Sequence, residues 1–215
     1  MSDLSHGPVT GPDRKPEAGP GRGLIAGPDG KLRCPWGLSA PEYVRYHDEE
    51  WGRPVHGEQA IFERLCLEGF QSGLSWLTIL RKRENFRAAF AGFDPERVAG
   101  FTDDDRARLL EDVGIVRNRA KINAAIVNAR ATLALKNTTL DDLVWKYAED
   151  HQPVTLDDIP PQTPGSAALS KELRRNGFIF TGPVTAYATM QACGIVNDHL
   201  SGCCARLEWS QLVVC

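Results

Sequence analysis

The chain has 215 residues, of which 42% are hydrophobic and 25% charged; this is enough apolar content to bury one core, and it excludes wholesale disorder. Lys and Arg total 25 against 28 Asp and Glu, a formal net charge of −3, so bulk charge announces no nucleic-acid binder and any such contact has to come from a local patch. No stretch approaches about 18 consecutive apolar residues and no apolar run of signal-peptide type opens the chain, so no membrane-spanning helix and a cytoplasmic location are expected.

Residues 1–30 hold seven Gly and five Pro. Such a segment buries too little apolar surface to offset its ordering entropy, and a disordered extension is expected there. The core is expected over 31–205, with a short tail at 206–215. From Lys31 onward the periodicity is helical. Ser39-Ala40-Pro41-Glu42 reads as a capping box opening a helix through Tyr43, Tyr46 and His47. Helices follow at 58–69, with Ile61, Phe62, Leu65 and Cys66 on one face, and at 75–91. Asp94-Pro95 starts a small one, and Thr102 with Asp105 opens another running to about Asp112. A long helix spans 118–136, and others are expected at 139–149, 165–176 and 183–193. Only Phe178-Ile179-Phe180 reads as extended. No βαβ alternation appears, so the fold class is all-α.

Between the fifth and sixth helices lies a tight turn. Gly114 is expected to supply a turn conformation that a Cβ would resist. The following helix start offers free N–H groups and a positive dipole end, with Val116, Arg117, Arg119 and Lys121 around it. Helix starts of this kind bind anions, and a DNA phosphate is a natural occupant. The alternative is an ordinary helical hairpin with solvated basic residues. Arg81-Lys82-Arg83 and the group Lys171, Arg174 and Arg175 lie near helix ends. They either complement helix dipoles or extend one positive face.

Trp36, Tyr43, Tyr46 and Trp51 crowd one segment, and Trp76 follows. Between them, Glu68 closes an otherwise apolar helix stretch, and Gly69 and Gly73 are expected to let backbone approach something closely. Aromatic faces with one carboxylate acceptor suit a nucleobase, and a cationic base gains further from the rings. The alternative places the aromatics in the core and Glu68 on the surface.

The chain holds six cysteines, which in a cytosolic protein point to metal more than to disulfides. His199 and Cys203 are spaced as two ligands of one metal, and Cys34 and His47 lie at the other end of the core. A Cys₂His₂ set would hold Zn²⁺ tetrahedrally with no open position, the structural type. Two buried thiols with two unrelated histidines is the alternative reading, and Cys204 can stand in for Cys203. Cys66, Cys193 and Cys215 have no partner that spacing suggests.

Taken together, these blocks resemble the bacterial 3-methyladenine DNA glycosylase I family. The resemblance rests on Arg33 through Trp36, Tyr43 through Trp51, Leu65 through Trp76, Leu80 through Phe86, the hairpin at 109–122, and Met190 through Cys204. It covers about residues 32–205. It implies a helix–hairpin–helix glycosylase of two helical lobes and a structural zinc held by Cys34, His47, His199 and Cys203. It implies base recognition by Glu68, Tyr46 and Trp76, with Tyr43, Trp36 and Trp51 supporting the pocket. It also implies that Leu74 probes the gap left by the extruded nucleotide and that the hairpin binds phosphate. The expected partner is double-stranded DNA containing 3-methyladenine, met by a monomer. Asn118 stands where bifunctional members of the wider superfamily carry a catalytic Lys, and Lys136 where many carry an Asp. A hydrolase without strand-nicking lyase activity is therefore implied, one that leaves an abasic site. A lesion-binding protein without catalysis and a zinc-stapled scaffold for protein contacts remain as readings from other classes.

Overall fold

A computed structural model describes residues 22–208. Within them lie α1 (Pro41–Glu49), α2 (Glu58–Gln71), α3 (Trp76–Ala89), α4 (Pro95–Ala99), α5 (Asp103–Glu111), α6 (Arg119–Leu133), α7 (Leu140–Trp145), α8 (Pro164–Arg175) and α9 (Pro183–Ala192). A two-stranded ribbon pairs β1 (Ile25–Ala26) antiparallel with β2 (Leu32–Arg33). The molecule is helical, as the periodicity predicts. The ribbon corrects the expectation of disorder as far as residue 30. Gly30 takes φ +76 in its turn, the conformation that favours glycine. Leu24 packs beside Cys34 and Cys203, and the Leu156 amide donates to the Arg22 carbonyl at 2.9 Å. Residues 1–21 and 209–215, which hold the rest of the expected extension and most of the tail, lie outside the described residues.

Three local expectations change. α1 is capped at Ala40 and not at Ser39, because a 3₁₀ turn over Pro35–Leu38 precedes it and the Ser39 hydroxyl donates to the Trp36 carbonyl at 2.7 Å. The helix expected over 139–149 ends at Trp145, since Glu149 leaves it to bridge Val196, its amide bonded to the Ile195 carbonyl at 3.0 Å. Phe178–Phe180 forms no strand: Phe180 takes φ 58, and Asn128 holds both backbone groups of Ile179. The Thr102–Asp105 capping box forms as expected.

α2 is the axis of the core and packs against α3, α6, α7 and α9. Its Ile61, Phe62, Leu65, Leu67 and Phe70 are buried, each worth about 1.5–3 kcal/mol relative to exposure. Phe70 meets Phe86 at 4.7 Å between ring centroids, and Phe90 stacks on Phe93. α4 and α5 pack on α6, and α8 on α9. A smaller cluster of Cys34, Leu200, Cys203 and Ala205 joins the first described segment to the last. Among the described residues no helix is long and apolar enough to cross a membrane.

Candidate active site

The 3₁₀ turn carries Trp36, α1 and the residues just after it carry Tyr43, Tyr46 and Trp51, α2 carries Glu68 and α3 carries Trp76, and one side chain ties the three α-helices together. Glu50, the C-cap of α1, accepts from both ends of the Arg83 fork of α3 at 2.5 and 3.0 Å, and lies 3.9 Å from Arg64 of α2. Burial opposes the Glu50 charge, but the Arg83 hydrogen bonds and the Arg83 and Arg64 charges outweigh it and hold its carboxyl below the ordinary value. Sequence reasoning left Arg83 either matching a helix dipole or extending a positive face, and missed this junction. Arg81 likewise pairs with Glu42 at 2.7 Å.

The junction brings the expected aromatic set together. Glu68 is only 6% exposed, so the surface reading is rejected. Tyr46 and Trp51 are buried, and Trp36, Tyr43 and Trp76 are half-buried. The Tyr46 ring tilts 41° to that of Trp76 at 5.4 Å, and Trp36 meets Tyr43 edge-on at 5.7 Å and Trp51 at 4.9 Å. Burial, reinforced by the nearby Glu68 charge, raises the Tyr46 phenol well above its ordinary value. The hydroxyl therefore stays protonated and can donate. The indole N–H groups of Trp36 and Trp76 are buried with no hydrogen-bond partner among the described residues. Unpaired buried donors cost about 1–3 kcal/mol each, which sets this wall apart from an ordinary packed core.

Leu74 sits in the turn between α2 and α3, half-buried and packed against the main core. The turn is closed by reciprocal bonds: the Leu74 amide donates to the Gln71 carbonyl at 2.7 Å, and Gln71 Nε2 to the Leu74 carbonyl at 3.0 Å. Gly73 takes φ +78, while a Cβ at Gly69 or Gly73 would meet nothing within 4 Å. Gly73 thus serves the turn conformation. The expected close approach of backbone at these two glycines is not made by any part of the described chain.

The hairpin between α5 and α6 differs from expectation in two ways. Gly114 is absent from the positive-φ residues. Its glycine is favoured by packing, because a Cβ would lie 2.9 Å from Asp112 Oδ1 and 3.1 Å from Asn85 Cβ. The turn is held to α3, with Lys82 Nζ donating to the Val113 and Gly114 carbonyls at 2.9 and 3.2 Å. Asn118 caps α6 by accepting from the Lys121 amide at 3.1 Å, and Val116 packs on the core. Arg117 and Arg119 are exposed at this helix start. Lys121 was expected beside them, but its ammonium reaches back to α2 and donates to the carbonyls of Phe70, at 2.9 Å, and Ser72. Val113, at the tip of the turn, is 74% exposed and escaped the sequence analysis.

Cys34, His47, His199 and Cys203 converge. Their four ligand atoms lie within 4.8 Å of one another, and all four residues are buried. His47 turns Nε2 toward Cys203 Sγ, and His199 turns Nδ1 toward Cys34 and Cys203. The opposite ring nitrogens are held from outside, His47 Nδ1 by Asp48 at 2.8 Å and His199 Nε2 by the Trp51 carbonyl at 2.9 Å. That fixes both tautomers with the inner nitrogens free to coordinate. A hydrogen bond with Cys34, then those with His199 and His47, hold the Cys203 thiol well below its ordinary value. Asp48 is anchored in turn by Arg33, which also pairs with Asp29. Cys204 is exposed and takes no part.

The cluster also abuts the aromatic wall, since Trp36 lies 5.1 Å from His47 and Trp51 lies 4.7 Å from His199. Two glycines make room: a Cβ at Gly37 would lie 2.7 Å from the His47 ring, and one at Gly52 2.9 Å from that of His199. Asp48, Arg33 and these glycines are site residues that spacing alone did not reveal. Asp198, adjoining the cluster in sequence, is bonded elsewhere, to His151 and Tyr187 at 2.5 Å and to Gln191. Arg206 ties the end of the described chain to the carbonyls of His151, Asn197 and His199.

The chain is similar to known proteins in sequence and in fold. The methyladenine glycosylase family model matches residues 36–206. The DNA-3-methyladenine glycosylase 1 of Escherichia coli (strain K12) is 49% identical over 80% of this chain and 95% of its own. The DNA-3-methyladenine glycosylase of Haemophilus influenzae (strain ATCC 51907 / DSM 11121 / KW20 / Rd) is 43% identical over 80% and 96%. The solved structure of a 3-methyladenine DNA glycosylase I variant in complex with 3-methyladenine is similar with a TM-score of 0.78, at 35% identity, covering 82% of this chain and 98% of that one.

Proposed function

Because the chain belongs to the methyladenine glycosylase family, we propose that it is a DNA-repair glycosylase that excises 3-methyladenine from alkylated double-stranded DNA. The observation that carries the reading is the buried Glu68 carboxylate beside the protonated Tyr46 phenol, with Trp76 against the Tyr46 ring. N3-methylation makes adenine cationic. An extruded cationic base gains from aromatic faces and from a desolvated carboxylate acceptor. The same positive charge makes the base a good leaving group, so selection and bond weakening share one cause.

In this reading, Arg117, Arg119 and the free amides at the start of α6 grip a phosphate as a helix–hairpin–helix element. Leu74 fills the position that the base leaves. Trp76 stacks on the extruded base, with Trp36, Tyr43 and Trp51 backing the wall. Glu68 and the Tyr46 hydroxyl hold its polar edge. Water then attacks C1′ as the N-glycosidic bond breaks, giving free base and an abasic site. Asn118 is occupied as a helix cap and supplies no amine for a Schiff base, which supports hydrolysis without strand nicking.

Cys34, His47, His199 and Cys203 fit a structural Zn²⁺. They are two thiols and two oriented imidazoles, buried, with their outer nitrogens already bonded. Such an ion would cross-link the first and last core segments and stiffen the back of the aromatic wall. It has no open position for reaction chemistry.

The direct test is incubation with methylated duplex DNA and chromatography of the released bases. Free 3-methyladenine is expected, with 7-methylguanine retained and the strand intact until alkali. No released base from folded protein would reject the enzyme and favour a lesion-binding protein.

A further inference from the structure

The hairpin and the Leu74 turn are joined by one side chain that donates to protein carbonyls. Lys121 stands in the first turn of α6, and its ammonium donates to the carbonyls of Phe70, at 2.9 Å, and Ser72. Those carbonyls end α2, where carbonyls lack intrahelical partners and the helix dipole favours a cation. The side chain is half-buried, and burial pulls the ammonium below its ordinary value. Downstream, the Gln71–Leu74 bonds and Gly73 at φ +78 continue the turn, and Ser75 caps α3 by accepting from the Thr78 amide at 3.3 Å. The backbone from Phe70 to Ser72, which leads into the Leu74 turn, is therefore braced against α6 at the point where α6 begins.

We propose that Lys121 is a positioning residue that couples the phosphate grip of the hairpin to the placement of Leu74 in the duplex. The proposal rests on the reading of Leu74 and the hairpin given above. Lys121 spends two of its three N–H donors on protein carbonyls, so its contribution to binding is greatest where a base has left the stack and Leu74 takes its place. Without a phosphate contact of its own, it is expected to leave the salt dependence of binding to undamaged duplex unchanged.

The test uses the full chain with Lys121→Met, the milder Lys121→Gln, and Lys121→Arg as the conservative replacement. The probes are a duplex carrying a tetrahydrofuran abasic analogue, the same duplex undamaged, and free 3-methyladenine. Lys121→Met is expected to bind the abasic duplex about tenfold more weakly, with single-turnover excision falling in parallel. Affinity for undamaged duplex, its salt dependence, and free-base binding read by tryptophan fluorescence should stay as in the parent. Lys121→Arg should recover most of the loss.

A salt slope on undamaged duplex reduced by about one would show a phosphate contact and overturn the proposal. Parallel loss of free-base binding would show a general structural role and also overturn it. If Lys121→Met does not fold, Lys121→Gln carries the test with a smaller loss of the same pattern, and an unchanged abasic preference there rejects it. Leu74→Ala separates the two levels. Abasic preference kept by Leu74→Ala defeats the wedge reading and the coupling built on it. Preference lost in Leu74→Ala but kept in Lys121→Met rejects the lysine alone.

Discussion

The carbonyl of Trp51 accepts from His199 Nε2 at 2.9 Å while the two rings stand 4.7 Å apart. One residue thus orients a cluster imidazole and backs the aromatic wall. The Cys/His cluster and the aromatic wall are one packed unit, so disturbing either is expected to register in the other.

Purified protein is expected to contain about one zinc per chain, as a closed four-ligand site predicts. Cys34→Ser should lose the metal, melt at lower temperature and bind 3-methyladenine more weakly through the Trp36 and Trp51 rings. Atomic emission together with thermal melting checks this; a metal-free parent that melts like the variant would reject the site.

Glu68→Gln keeps the shape and removes the charge. Excision of 3-methyladenine should fall about 10–100-fold in kcat/KM, the scale of a charge-assisted hydrogen bond. Trp76→Ala should weaken binding of the free base by about 1–3 kcal/mol, the scale of one base–aromatic stack. Full activity in Glu68→Gln would remove the carboxylate charge from the mechanism.

Glu50 predicts an acid-side loss of stability. Its folded carboxyl titrates below the ordinary value, so its contribution is present above the unfolded value of about 4.3 and lost as pH falls through the folded one. The parent should be more stable than Glu50→Gln near pH 6, and the gap should close below pH about 4. Urea midpoints measured across that range decide it; a gap that stays constant with pH would show that the Glu50 charge is immaterial.

Gly52 takes φ +73, and a Cβ there would lie 2.9 Å from the His199 ring. Gly52→Ala is therefore expected to destabilise the fold by about 1–3 kcal/mol and to weaken metal retention against a chelator. Chelator titration of the two proteins side by side is the check, and equal retention would show that His199 yields without cost.

The sequence carried the helices well because apolar periodicity, Pro at helix starts and the Thr102–Asp105 box are local signals. The ribbon at 25–33 was hidden because its pairing joins a short apolar step to a segment rich in Gly and Pro, where composition averages it away. Gly114 was singled out for a conformation it does not take, since its contact partner, Asn85, lies on another helix.

What the sequence determined by itself is the kind of chemistry: a family-specific order of aromatics, one carboxylate, and two Cys and two His at opposite ends of the core. What only the tertiary structure decided is how charges are spent. Arg83 and Arg64 converge on Glu50, Asp48 on His47 and Arg33, and Lys121 on the end of α2. A charged side chain looks the same in sequence whether it meets solvent, a phosphate or a carbonyl. Its partner is set by which helices pack together, because hydrogen bonds and ion pairs act over a few ångströms and not along the chain.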